Sequence, residues 1–544
     1  MIFTSIAVSL FVSPWNSIDP VNLPKLVALG ILSTIAIGLA LSDLRFVKSR
    51  SSRMLMSTLS LFLIQLLLAL MFSPGDFSFH FYGTPSRNTG FLAYLFLSFL
   101  LLASASSAST AVLKTFTYSF LGTGGLLGVY GLAQWRGIDF FDYVNAYSSD
   151  VFGTFGNPNF QSAFMGIIAA AGLTLAIFGK INLGQRTGLF ALCAIAISNV
   201  SLSSEQGYLN FLAGFLAALL VYFFTKKKMI LAWTGLVLSG LGGFLVLAGI
   251  LNSGPLADLL YKSSLQAREF YWRAALNMML DRPFFGVGLD GFGDWYRRSR
   301  TQSAADFNAG IVSDTAHNIP LDIGSGGGVP LLVLYLLILG LALNAIIKVV
   351  KRSQEFDPIF ASIVAAWVAY QAQSLISINQ LGLGVLGWSL TGFLIGYELN
   401  TRENSSEEQI KSSGKVGKKK EQIPASALLI AVTAGAIGCA LSLPPYLAAN
   451  KYYKALQSGD GTVLQQSAYL KPYDRTRFLY TAQILASNNL EANAIDVLRD
   501  ASKIYPDSFD LWQQWSQIPS AIPAQIAKAK SEMKRLDPLN PALK

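Results

Sequence analysis

Apolar runs of membrane-spanning length recur along most of this 544-residue chain, and they constrain its fold more than any other feature. A run of about 17–25 apolar residues wound as a helix crosses a hydrocarbon core of about 30 Å. Within lipid each backbone amide must be bonded inside its own segment, so such runs read as helices. Their approximate positions are 1–13, 25–42, 55–72, 91–105, 112–135, 160–178, 189–202, 208–224, 230–251, 329–347, 359–378, 381–397 and 423–443. Charged residues make up 13% of the chain, against about 25% in a soluble protein. The expected fold class is all-α, a polytopic helical membrane protein of about 13 transmembrane helices with a large outer loop and a C-terminal helical-repeat domain.

The basic residues fix an orientation. Arg45, Lys48, Arg50 and Arg53 share one short loop, Lys180 and Arg186 another, Lys226 to Lys228 a third, and Lys348, Lys351 and Arg352 a fourth. All fall on one side of the alternation, which the positive-inside rule makes cytoplasmic. The loops holding Arg87, Asn157, Gln206 and His317 fall on the other. The net charge of +10 is thereby accounted for by topology, and no nucleic acid is implied. Cys193 and Cys439 lie inside predicted spans and read as small buried residues, with no disulfide framework or zinc spacing.

Six regions follow. Residues 1–251 hold helices 1–9, 252–328 form the outer loop, and 329–399 hold helices 10–12. Residues 400–422, rich in lysine (Lys411, Lys415, Lys418 to Lys420), read as a disordered cytoplasmic linker. Residues 423–443 form helix 13, and 444–544 an extracytoplasmic helical domain. In that domain Leu470-Lys471-Pro472, Ile504-Tyr505-Pro506 and Leu536-Asp537-Pro538 recur at a period near 34, as in tetratricopeptide repeats. An unrelated helical tail would also fit. Repeats of this kind offer a surface for a protein partner.

The outer loop concentrates the polar chemistry. Ser264 to Leu280 reads as a helix with Arg268, Trp272, Ala275 and Met279 on one stripe, closed by Asp281-Arg282-Pro283. A guanidinium held at headgroup height suits a diphosphate, which it bonds bidentately; a snorkelling interfacial arginine would look the same. Gly286-Val287-Gly288-Leu289-Asp290-Gly291 matches a dinucleotide fingerprint but lacks the βαβ setting, so it reads as a tight turn. His317 is a natural base near neutral pH, or a plain hydrogen-bonding residue. His80 reads as structural. No Asp-x-Asp motif or His/Asp/Glu cluster marks a metal site, and no cofactor is implied.

Taken in order, five pieces resemble the O-antigen ligase-like membrane proteins, which include O-antigen ligases, O-antigen polymerases and bacterial O-oligosaccharyltransferases. They are Gly83-Thr84-Pro85-Ser86-Arg87-Asn88-Thr89-Gly90, Gly153 to Asn159, Ala267-Arg268 with Tyr271-Trp272, Pro283 to Phe292, and His317-Asn318 leading to Gly326-Gly327-Gly328. With the spans they cover roughly residues 1–400, and family versions with a tetratricopeptide tail exist. The resemblance implies a GT-C-like glycosyltransferase in the bacterial inner membrane, with loop and tail extracytoplasmic. It would move a glycan from undecaprenyl diphosphate to a lipid, glycan or protein acceptor, without metal. It implies His317 as base and Arg268 on the diphosphate, with Arg87, Arg273, Gln206 and Asn318 as substrate-binding candidates. One departure stands out: where family ligases often carry arginine in a Ser-Arg-Gly setting, this chain has Ser204-Glu205-Gln206-Gly207. A neutral Gln206 leaves open another source of positive charge, a different donor, or a diverged inactive copy. The other readings are an O-antigen-type polymerase, a lipid-linked glycan transporter, and a non-catalytic scaffold.

Overall fold

The computed structural model describes all residues except 14–17, 43, 141–150, 261–262, 412–423 and 544, and omits the side chains of 259–260, 263–266 and 403–411. It is 78% helical, with no strand among the described residues. Among the described residues eight helices are long and apolar enough to cross a membrane: Asn22–Leu41, Arg53–Phe72, Pro158–Phe178, Leu183–Ser203, Gln206–Thr225, Met229–Ile250, Ile319–Arg352 and Ala425–Ser458. Phe91–Ser107 is apolar but shorter. Thr110–Trp135, Pro358–Ser374 and Leu381–Lys411 complete the bundle with fewer apolar or fewer total residues.

The first expected span departs from its reading. Its helix is Ile2–Leu10, nine residues long. At about 1.5 Å per residue it falls well short of a bilayer core of about 30 Å. Its C-terminal carbonyls would be orphaned by so short a helix. Lys25 takes them instead, with Nζ 2.9, 3.0 and 2.9 Å from the carbonyls of Val8, Ser9 and Phe11. All three ammonium donors are used, which explains a lysine with no exposure at the head of the next helix.

Two expected boundaries also differ. The helix from Leu381 continues to Lys411, into the segment read as linker; residues 412–423, with Lys415 and Lys418 to Lys420, lie outside the described residues. The Ala425–Ser458 helix runs unbroken through Pro444 and Pro445, so membrane helix and tail are one rod. It packs on Asn22–Leu41 where Gly30 meets Gly438, and a Cβ on either would collide with the other backbone. Close backbone approach of this kind is what holds helices together where burial from water supplies no force.

The 252–328 segment, Phe72, Asn22 and the tail gather at one end of the bundle. Phe72 packs on Phe285 at 5.1 Å between ring centroids, and Asn22 donates to the Ser86 carbonyl. At the other end Phe178, Tyr222 and Phe356 cluster, beside Lys180 and Lys228. Lys180 and Lys228, from two of the basic loops, thus lie near one another at that end.

Candidate functional site

The site is built on a broken helix. Ile319–Arg352 contains Gly328 at φ +83°, a left-handed conformation that glycine adopts without strain, followed by Pro330. The break frees backbone groups in a largely apolar setting, and the Pro283–Phe292 segment satisfies them. Val287 N donates to Ser325 O at 2.8 Å, Gly288 N to Gly326 O at 3.0 Å, and Val329 N to Pro283 O at 2.8 Å. Gln65 Nε2 adds bonds to Phe284 O (2.6 Å) and Gly327 O (3.2 Å). The glycine string is therefore the tight turn expected, with Gly286 at φ +70° and Gly288 at φ +103°. A side chain on Gly288 would strike the His80 ring. His80 is buried, its Nδ1 2.9 Å from Leu289 O and its Nε2 2.8 Å from Pro74 O, so it pins the turn from the short helix Phe77–Tyr82.

Asp290, in the middle of that string, organises the Gly83–Gly90 segment. Its carboxylate accepts from Thr84 N (2.9 Å), Thr89 N (3.1 Å) and Thr89 Oγ1 (2.8 Å). Arg87 Nη2 lies 3.0 Å from Asp290 Oδ1, with both side chains under 10% exposed. The same guanidinium reaches Asp314, at 3.3 Å from Oδ2 and 3.0 Å from its carbonyl. Burial works against the charge of Arg87, and Asp290, Asp314 and Asp322 more than offset it, holding its pKa above the ordinary arginine value. Arg87 in turn holds the Asp314 carboxyl below its ordinary range. The sequence reading missed Asp290, Asp314 and Asp322. Asp314 stands three residues before His317, which was the available signal.

His317 itself is held at φ +52°, with its amide bonded to Thr315 Oγ1 at 3.1 Å. A non-glycine residue in this region costs roughly 1–3 kcal/mol and persists where its surroundings impose it. The imposing group is the next residue: Asn318 caps the broken helix by accepting from Leu321 N at 3.0 Å and ties it to Leu375 O at 2.9 Å. Asn318 is thus already occupied. The His317 ring stacks on Tyr271, 5.6 Å between centroids and 27° between planes. Tyr271 belongs to the Ser263–Asp281 helix, three residues after Arg268. Burial first, then the charges of Arg268 and Arg87, push the imidazole pKa down to about 4, with Asp314 opposing. His317 is therefore neutral near pH 7.

Arg268 differs from the other arginines of this segment. Arg273 pairs with Glu269 at 2.8 Å on the helix surface, and Arg297, Arg298 and Arg300 pair with carboxylates of the tail. Arg282 lies over the Trp295 ring. Among the described residues Arg268 has no carboxylate partner, although burial disfavours its charge. An arginine stays charged regardless, so this is a half-buried cation beside a neutral imidazole. Gln206 is placed elsewhere: it starts its helix and donates to the Asn159 carbonyl. The structure brings together Arg268, His317, Asp314 and Arg87; Arg273, Asn318 and Gln206 bond to other partners.

These features define a multi-pass α-helical membrane protein with an Arg/His cluster at one end, built by a loop folded onto a broken helix. The sequence model described as O-Antigen ligase matches residues 189–336, and over this segment the chain is similar to the O-antigen ligase family. The match includes Gln206, Arg268 and His317, while Arg87 lies outside it. Comparison with curated proteins finds no match. That similarity supports a membrane glycan-handling function of the O-antigen ligase or polymerase type.

Proposed function

We propose that the chain is a membrane glycosyltransferase that moves a glycan from undecaprenyl diphosphate to an acceptor hydroxyl on the outer face of the inner membrane. The supporting observation is an arginine that lacks a carboxylate, Arg268, whose charge acts on a neutral histidine, His317, stacked on Tyr271 of the same helix as Arg268. In this reading Arg268 binds the diphosphate. The acceptor oxygen attacks the anomeric carbon, the bond from that carbon to the diphosphate oxygen breaks, and the electron pair leaves with the undecaprenyl diphosphate. Arg268 stabilises the negative charge that grows on the departing group. His317 accepts the proton of the acceptor hydroxyl. Its basicity is low in the empty site, and a bound diphosphate would offset the Arg268 charge and raise it. Arg87 acts at one remove, positioning Asp314 and the 83–90 loop. The tail, read as tetratricopeptide-like, shares the outer side with the loop.

The test is transfer in reconstituted membranes from purified undecaprenyl-diphosphate oligosaccharide to a panel of lipid, peptide and lipid-linked glycan acceptors. Parent activity lost in both His317→Ala and Arg268→Ala supports the scheme, and the acceptor that gains sugar separates ligase from polymerase. Full transfer by His317→Ala would remove the base from it.

A further inference from the structure

The turn that carries His317 is held at its start, its middle and its end. Its start is fixed through Asp314, whose carbonyl accepts from Arg87 Nη2 at 3.0 Å. Its end is fixed by Asn318, tied to Leu375 O at 2.9 Å. Between them Thr315 and Ala316 are buried, so their amides need partners inside the protein. Thr315 N donates to Ser313 Oγ at 3.3 Å and His317 N to Thr315 Oγ1 at 3.1 Å, both within the turn itself. Ala316 N reaches out of it, to Asp322 Oδ1 at 2.6 Å.

Asp322 stands on a fixed platform. It lies in the first turn of the broken helix Ile319–Arg352, and its own amide donates to Asn318 O at 2.9 Å. Just beyond it, Ser325 O and Gly326 O accept from the glycine turn at 2.8 and 3.0 Å, and Ser325 Oγ donates back to Asp322 O at 3.3 Å. The carboxylate is thus carried by backbone that is bonded on both sides. With Ala316 N and His317 N both bonded, the two peptide units flanking Ala316 are fixed, and the chain enters His317 in one orientation. That constraint bears on the left-handed φ of +52° at His317, a conformation that persists only where the surroundings impose it.

An acid here also suits the N-terminal turn of a helix and adds to the negative field around Arg87. Those roles need a charge in the neighbourhood. The bond to Ala316 needs an acceptor at one place, so the two demands separate by substitution.

We propose that Asp322 is a positioning residue of the site: by accepting from Ala316 N it sets the backbone that aims the His317 ring, stacked on Tyr271. It acts through His317 and touches no reacting atom. Its effect on transfer rests on the proposed transferase reading; its effect on the ring does not.

The chain has two histidines, so full-length protein labelled at histidine and held in nanodiscs gives one ring signal for each. The His317 ring lies 5.6 Å from that of Tyr271, and its Cε1–H signal carries a ring-current shift that reports its placement. His80, bonded to Leu289 O and Pro74 O, reports the glycine turn. Asp322→Asn keeps an oxygen acceptor and drops the charge; the His317 signal and kcat should stay close to those of the parent. Asp322→Leu drops both, and Asp322→Glu keeps the charge but displaces the acceptor by a methylene. Both should shift the His317 signal and leave that of His80 in place. Both should lower kcat by about tenfold to a hundredfold, since a misplacement of about 1 Å can cost about 10²-fold in rate. The donor KM should hold, because Arg268 is untouched. If the leucine variant fails to fold, the glutamate variant carries the test. A His317 signal unmoved in the folded variants, or moved as far by asparagine as by glutamate, would overturn the assignment. The expected shift together with no transfer by the parent would keep Asp322 as the residue that places the ring and overturn the transferase reading.

Discussion

Arg300 and Asp537 lie 237 positions apart in sequence and form a double hydrogen bond with neither side chain exposed to solvent. Arg300 ends the short helix Phe292–Ser299 of the long loop, and Asp537 follows the last long helix of the tail. The pair is the bolt between the polar loop and the C-terminal domain. Arg297 adds a contact to the same carboxylate at 3.4 Å.

Breaking the bolt from one side should be costly. Asp537→Leu leaves the Arg300 charge buried without its counter-ion, a loss of about 3–5 kcal/mol. The tail should then become sensitive to limited proteolysis while the helical content of the membrane part persists. Replacing both partners, Arg300→Met with Asp537→Leu, should recover much of that loss. Equal protease resistance of parent and single variant would show that the tail is held by other contacts.

Asp290→Ala should unseat the 83–90 loop, because it removes the acceptor for two backbone amides, one hydroxyl and Arg87 at once. The loss is again about 3–5 kcal/mol locally. Hydrogen exchange of the Thr84 and Thr89 amides should accelerate strongly, and glycan transfer should fall with it. Unchanged exchange at both amides would contradict the role assigned to this carboxylate.

Gly288→Ala places a methyl group against the His80 ring and asks alanine to hold φ +103°. Overpacking of this kind costs about 1–3 kcal/mol, with the backbone strain added. A lowered melting temperature is expected. The double variant with His80→Ala should remain below the parent, since the clash is relieved but the strain is not.

The pH dependence follows from His317. Its pKa in the folded chain, about 4, lies below the ordinary 6.5. Between these values the unfolded chain holds more protons on this residue, so its contribution to stability is complete above pH 6.5 and is lost as pH falls toward 4. The same shift places the acidic limb of kcat/KM, which reports the free enzyme, near pH 4. The limb of kcat should sit higher, because bound diphosphate offsets the Arg268 charge. A kcat/KM limb at 6.5, abolished in His317→Ala, would show that the ring is not depressed in the free enzyme.

The sequence by itself determined the helical membrane class, the long polar loop, the turn at Gly286–Gly291 and the family resemblance, because each is written in local pattern. Apolar runs must become helices in lipid, and glycines beside a proline must turn the chain. It also singled out His317 and Arg268, the loop histidine and a half-buried loop arginine that has no carboxylate partner among the described residues. Which arginines are committed was settled only in three dimensions. Arg87, Arg268 and Arg300 look alike in sequence, and their roles diverge because carboxylates more than two hundred positions away neutralise Arg87 and Arg300. The first helix shows the same limit. Its apolar run reads as a span, yet it stops at nine residues because Lys25, from the next helix, takes its final carbonyls. Hydropathy is a property of neighbours along the chain, whereas pairing of charges and carbonyls depends on neighbours in space.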